Sequence, residues 1–269
     1  MLHIFIIIMT NEDKTPLQLT RDTVYGGRLV LVQPKNGYRF SIDSLLLTRF
    51  ACEGARMSLG ADLGAGCGVV GLGLLAAGQT SRVVAIEVQH SLAELATQNA
   101  ALNGLDLSYS VLESDLRHSP LQSGVFDLVV MNPPFWPARS GRLPENEERR
   151  IACHEMLGGI RDWIETAGRL LNPRRGRLVI VFPARRLDAL LIALNTSRLS
   201  GTRLRLVHPH IDNPAELVLI EARPGNTGRL TCEPPMVLKN DDGTDTDEIA
   251  SLVNGEFAGA LMKRPDARK

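Results

Sequence analysis

The segment that most constrains the fold is Ala61-Asp62-Leu63-Gly64-Ala65-Gly66-Cys67-Gly68-Val69-Val70-Gly71, which leaves an apolar strand-like run and enters a helix-like one. Glycines at a strand-to-helix turn let the backbone bend tightly and approach a ligand closely. A strand that feeds a helix returns to the sheet as a parallel neighbour. The remaining sequence extends this pattern. Strand-like runs fall at residues 58–63, 82–87, 108–112, 126–131, 177–182, 203–207 and 216–221. Helical spacing occupies residues 69–77, 92–103, 151–171 and 186–194. The order predicts an α/β, Rossmann-like fold, with a mostly parallel seven-stranded sheet and helices on both faces. The last two strands, with Pro209 and Pro214 between them, read as a hairpin.

Flanking segments differ from this middle. Residues 1–54 form an N-terminal extension expected to cover the cofactor site, 55–224 the core, and 225–269 a C-terminal extension with an acidic run over 241–248. With 44% hydrophobic and 22% charged residues the chain has globular composition, which excludes a disordered or low-complexity protein. Thirty basic and thirty acidic residues cancel, so the chain is no polybasic nucleic-acid coater. Charge is nevertheless uneven: residues 137–186 hold eleven arginines against six acidic residues. Cys52, Cys67, Cys153 and Cys232 are scattered without a C-x-x-C pair, the pattern of a reduced, cytoplasmic protein. The apolar run at residues 4–9 is far short of the roughly 18 residues of a membrane span and lacks a positive leader.

Gly66-x-Gly68-x-x-Gly71 also fits the dinucleotide fingerprint, so glycine spacing alone leaves the ligand open. Asp62 narrows it. A carboxylate two residues before the first glycine repels a pyrophosphate and suits a ligand with an ammonium and a sulfonium, namely S-adenosylmethionine (SAM). Glu87 ends the second strand, where an acid accepts hydrogen bonds from ribose hydroxyls. Asp115, just beyond the third strand, is placed to take the adenine amine of the cofactor.

The fourth strand runs directly into Asn132-Pro133-Pro134-Phe135-Trp136. In an open α/β sheet the carboxyl ends of the central strands line the ligand crevice, so this turn faces the glycine loop. The two prolines stiffen the backbone. The Asn132 side-chain oxygen and the Pro133 carbonyl are then set to accept both hydrogens of a planar amino group, with Phe135 stacked on its ring. Such a clamp suits an amide or an adenine amine.

Asn-Pro-Pro-aromatic is similar to the reactive loop of SAM-dependent, class I amino-group methyltransferases. The stretches QPKNGYRFSIDSLLL (33–47), NPPFWPARSGRLPENEERRIACHE (132–155), VHPHIDNPAELVLIEAR (207–223) and PPMVLKNDDGTDTDEI (234–249) further resemble the bacterial tRNA(Val) adenine-N6 methyltransferase family. The resemblance implies a class I methyltransferase fold and methylation of the adenine that adjoins the anticodon on its 3′ side. It places Asp62, Gly64, Gly66, Glu87, Asp115 and Asn132 on the cofactor and Asn132, Pro133, Pro134 and Phe135 on the target base, with residues 40–43 over the cofactor mouth. Phe135-Trp136 stands where Tyr-Phe is more usual, and Cys153 where arginine is. Arg139, Arg142, Arg149 and Arg150 are candidates to hold RNA phosphates around a base turned out of its stack. His208, His210 and Asp212 read as structural, and no metal is expected. Competing readings are methylation of rRNA or of a protein glutamine amide, an NAD-dependent reductase, and a non-catalytic nucleotide-binding module.

Overall fold

The computed structural model describes residues 7–8, 17–36, 39–134, 159–225, 228–257 and 260–261. In chain order they form β1 (Ile7–Ile8), β2 (Leu17–Val24), β3 (Leu29–Pro34), α1 (Ile42–Cys52), β4 (Met57–Leu63), α2 (Val69–Ala76), β5 (Thr80–Glu87), α3 (His90–Leu102), β6 (Tyr109–Glu113) and β7 (Leu128–Met131). They continue with α4 (Ile160–Leu170), β8 (Arg177–Pro183), α5 (Leu187–Thr196), β9 (Leu199–His208), β10 (Leu217–Pro224), β11 (Thr231–Cys232), β12 (Met236–Val237), α6 (Asp247–Val253), β13 (Glu256–Phe257) and β14 (Ala260–Leu261).

The central sheet has the order β11-β9-β10-β8-β7-β4-β5-β6, with β12 also on β9. Strands β6, β5, β4, β7 and β8 are mutually parallel. β10 lies antiparallel between β8 and β9. The seven expected strands are therefore present, and two-residue strands from beyond residue 225 bring the sheet to nine. β7 and β8 are buried at every position, as strands covered on both faces must be. β9 and β10 run longer than their sequence pattern suggests, because pairing across the hairpin carries β9 back through Ser200 and Gly201, with a register shift at Glu221/Ala222. Cross-strand pairing there outweighs the poor strand propensity of those residues.

One sheet face carries α1, α2, β3 and α6 in a single apolar cluster that includes Leu29, Leu46, Phe50, Leu72, Leu74 and Leu252. The other face packs α4 and α5 through Trp163, Ile164, Leu170 and Leu190. α4 is amphipathic, burying Ile160, Trp163, Ile164, Ala167 and Leu170 at helical spacing. Its start is fixed by the Gly159 N–H, which donates to the Asp162 carboxylate at 2.9 Å. The helical pattern was expected from residue 151; residues 151–158 lie outside the described ones.

Segments before residue 54 were expected only as an extension. They form an antiparallel hairpin, β2–β3, followed by α1. Two asparagines one turn apart, Asn99 in α3 and Asn103 at its C-terminal cap, take the place of a neighbouring strand for β3. Asn99 accepts from the Val32 N–H at 2.7 Å and donates to the Val32 carbonyl at 2.9 Å. Asn103 does the same with Val30, at 3.0 and 2.8 Å. Asn99 also donates to the Cys67 carbonyl at 2.9 Å, tying the hairpin to the glycine loop. Among the described residues no helix is long and apolar enough to cross a membrane.

Candidate active site

β4 pairs with β7 so that Leu63 lies beside Met131. The chain proceeds from β4 to β5 on one side and later returns to β7 on the other, which is where strand order reverses and a crevice opens. The two loops singled out in the sequence therefore leave adjacent strands at the same edge, Gly64 from one and Asn132 from the other.

The glycine loop is a closed construction. Gly64, Gly66 and Gly68 have φ of 69°, 58° and 90°, in the left-handed region that side chains other than glycine rarely enter. Crowding adds a second constraint. A Cβ on Gly64 would stand 2.5 Å from the Trp163 ring, and one on Gly71 would stand 2.7 Å from the Tyr109 ring. Glu87, buried at the end of β5, accepts from the Gly66 N–H at 2.8 Å through one oxygen and from the Val88 and Gln89 N–H groups at 3.0 and 2.9 Å through the other. Asp62 is 2% exposed and accepts from the Gly71 N–H at 2.9 Å. Burial pushes its carboxyl up to about 7; the Gly71 hydrogen bond opposes the rise, and the Glu87 charge adds to it. A cationic ligand group is the natural complement of two buried acids so close together. Asp115 follows β6 at the same edge, but its carboxylate is already occupied: it accepts from the Arg117 backbone N–H at 2.9 Å and from the Arg117 guanidinium at 3.0 Å. Arg117 accordingly holds it below the ordinary carboxylate range. An adenine amine must share or displace that pair.

At the β7 exit Asn132 is half-buried and Pro133 buried. The Asn132 amide nitrogen donates to the Ser44 hydroxyl of α1 at 3.3 Å. Ser44 is 1% exposed and was not singled out in the sequence; nothing in its local pattern distinguishes it from the other residues of a buried helix. Tyr109 and Trp163, which fill the space beside the glycines, were also missed. Both are buried, and the Tyr109 hydroxyl and Trp163 indole N–H have no hydrogen-bond partner among the described residues. Phe135, Trp136 and the Arg139, Arg142, Arg149 and Arg150 group lie outside the described residues. His208 is engaged by its own loop, its Nδ1–H donating to the Asn213 carbonyl oxygen at 2.7 Å. No cluster of three or more His, Cys, Asp or Glu among the described residues is arranged to hold a metal ion.

Comparison with known proteins bears on this site. The family model "Methyltransferase small domain" matches residues 42–187. Curated relatives include the tRNA1(Val) (adenine(37)-N6)-methyltransferases of Porphyromonas gingivalis, 33% identical over 70% of this chain and 76% of the relative, and of Aeromonas hydrophila, 29% identical over 79% and 87%. A release factor glutamine methyltransferase of Deinococcus radiodurans is 33% identical over a shorter stretch, 44% of this chain and 41% of the relative. Among solved structures, one described as a predicted O-methyltransferase of Agrobacterium tumefaciens superposes with a TM-score of 0.64 at 25% identity, covering 80% of this chain and 97% of that one. Fold and site together define a class I methyltransferase that uses SAM as methyl donor. The chain belongs to the bacterial tRNA(Val) adenine-N6 methyltransferase family.

Proposed function

We propose that the enzyme transfers the methyl group of SAM to the exocyclic N6 amine of an adenine in a tRNA anticodon loop, the adenine adjoining the anticodon on its 3′ side. The observation that carries this reading is the placement of Asn132-Pro133-Pro134 beside the glycine loop, with the Asn132 amide nitrogen engaged by Ser44 and not by the site. That leaves the side-chain oxygen to serve as an acceptor.

The cofactor-binding residues fit their group. Gly64 and Gly66 bring backbone close to it, Asp62 meets its ammonium, Glu87 its ribose hydroxyls and Asp115 its adenine amine. When bound, SAM supplies an electrophilic methyl group on sulfur. The remaining chemistry falls to the reactive turn. An exocyclic adenine amine is a weak nucleophile because its lone pair is delocalised into the ring. The Asn132 oxygen and the Pro133 carbonyl accept its two hydrogens, which favours a tetrahedral nitrogen and disperses the positive charge that grows as the N–C bond forms. Pro134 keeps the turn rigid and Phe135 would stack on the base, so that the amino nitrogen is oriented toward the methyl group that SAM would supply, its sulfur leaving with the bonding pair. The nitrogen then loses its extra proton to water, and no dedicated base is required. Arg139, Arg142, Arg149 and Arg150 hold phosphates of the RNA. A tRNA substrate and dispersed, unpaired Cys52, Cys67 and Cys232 support a cytoplasmic location.

Glutamine methyltransferases also appear among the relatives, yet those matches cover 40–57% of the chain whereas the tRNA-modifying relatives cover 70–79%. Incubation with labelled SAM, total tRNA and, separately, release-factor protein decides between them. N6-methyladenosine in the digested tRNA is the expected product. Label on protein alone supports the glutamine reading, and cofactor binding without transfer supports a non-catalytic module.

A further inference from the structure

We propose that Ser44, on α1, is a positioning residue for the reaction: it holds the Asn132 amide by its nitrogen end so that its oxygen is presented to the acceptor amine. This rests on the acceptor chemistry proposed above and names the part of the protein that enforces it.

An asparagine amide has one acceptor end and one donor end of nearly the same shape, and the two work in opposite directions on an NH2 group. An Asn132 nitrogen facing the acceptor would place donor against donor. The strand exit alone does not choose between the two orientations, because terminal amide torsions are broad and roughly two-fold. The Pro-Pro sequence that follows offers no N–H to engage the oxygen elsewhere. Ser44 meets the nitrogen end. Its hydroxyl oxygen lies 3.3 Å from the Asn132 amide nitrogen and accepts from it, with Ser44 1% exposed and Asn132 half-buried.

Ser44 can act this way because α1 is fixed at both ends. The first turn is closed by the Ser44 N–H, which donates to the Ser41 carbonyl at 3.2 Å, and by Thr48, whose hydroxyl donates to the Ser44 carbonyl at 2.8 Å. At the far end Arg177, fully buried and paired with Glu221 at 3.1 Å, donates to the Ala51 carbonyl at 2.6 Å. Arg203 donates to the Phe50 carbonyl at 2.9 Å. These arginines come from β8 and β9, so the helix is fastened to the same sheet that carries Asn132. Between the ends, Leu45, Leu46, Leu47 and Phe50 are buried.

The test uses the full-length enzyme with SAM and tRNA under single-turnover conditions, comparing Ser44→Ala, Ser44→Thr, Asn132→Ala and the Ser44→Ala/Asn132→Ala double variant. Ser44→Ala is expected to lower the methyl-transfer rate about tenfold, the loss of one buried hydrogen bond, with SAM affinity and KM for tRNA within about twofold of wild type. Ser44→Thr, which keeps the hydroxyl, is expected to restore most of the rate. On the Asn132→Ala background the same serine change should cost almost nothing, since there is no amide left to orient. A wild-type rate in Ser44→Ala, or an undiminished tenfold loss on the Asn132→Ala background, overturns the proposal. A crystal structure of Ser44→Ala gives a readout independent of the acceptor: the Asn132 amide is expected to rotate or occupy two orientations, and an amide held as in wild type also overturns it. If wild-type enzyme labels no tRNA, the acceptor assignment fails, and the crystallographic comparison still decides the role of Ser44.

Discussion

The two loops that leave β4 and β7 lie side by side but are built in opposite ways. The glycine loop is held by its own neighbourhood. Glu87 takes three backbone N–H groups, Asp62 takes a fourth, and the Trp163 and Tyr109 rings occupy the space that side chains on Gly64 and Gly71 would need. The described part of the reactive turn is sparse: one asparagine and two prolines, with one side-chain hydrogen bond among the described residues, to a helix contributed by the N-terminal segment. A site for a ligand of fixed shape can be fully preformed, whereas a site for a base that must leave its stack has to stay open and keep only its polarity fixed. The difference assigns cofactor affinity to one loop and transfer rate to the other.

The most severe way to break this division is Asn132→Ala. Removing one of two acceptors from the developing cation is expected to slow transfer by about a hundred- to a thousandfold while SAM affinity, measured by calorimetry, stays within about twofold. Asp62→Ala should reverse the pattern, weakening SAM first. Equal losses of SAM affinity in both variants would show that the loops do not have separate roles.

Next in size is Asn99→Leu, aimed at the link between the hairpin and the glycine loop. The substitution removes three buried hydrogen bonds and strands the Val32 and Cys67 backbone groups, a cost of about 3 kcal/mol in chemical denaturation. Its effect on activity should be on SAM affinity, leaving the rate at saturating SAM nearly unchanged. A stability loss below about 1 kcal/mol would mean that β3 finds other partners.

What could be read in the sequence follows the same division. The Asp62–Gly71 run, Glu87 and the Asn132 turn are local patterns, each with its meaning in a few consecutive residues, and the sheet order places them together. Ser44, Asn99, Tyr109 and Trp163 acquire their roles only through contacts across the fold. Ser44 looks like any small residue in FSIDSLLL, and Asn99 like an ordinary polar position on α3, until β3 is laid along that helix. The β9–β10 hairpin was legible, but its extension back to Leu199 was not, since Ser200 and Gly201 are poor strand formers and are held there by pairing with β10. Asp115 shows the converse: its position was legible and its guanidinium partner was not.

A smaller expected effect is that of Gly64→Ala. Position 64 has φ of 69° and no room for a Cβ against the Trp163 ring. Strain and displacement together should cost about 2 kcal/mol and at least several-fold in SAM affinity. The double variant with Trp163→Ala separates the two causes. If crowding dominates, SAM affinity partly recovers; if backbone strain dominates, it does not.

The finest test is the pH dependence of Asp62. With its carboxyl raised to about 7 by burial, the free protein holds it largely protonated below that value. A cofactor ammonium favours the ionised form. SAM affinity should therefore rise about tenfold between roughly pH 6 and pH 8, with a proton released on binding that calorimetry detects as a dependence on the buffer's ionisation heat. Asp62→Asn, which keeps an acceptor for the Gly71 N–H, should lose this contribution, and the difference between the two proteins removes any titration of the ligand itself. The sign for stability is opposite. A raised acid contributes in full below its unfolded value of 3.8 and loses that contribution as pH rises through about 7, so cofactor-free wild type should melt progressively lower, relative to Asp62→Asn, across that interval. A constant difference would mean that Asp62 is already ionised in the empty site, and that its complement to the cofactor's positive charge is set before the cofactor arrives.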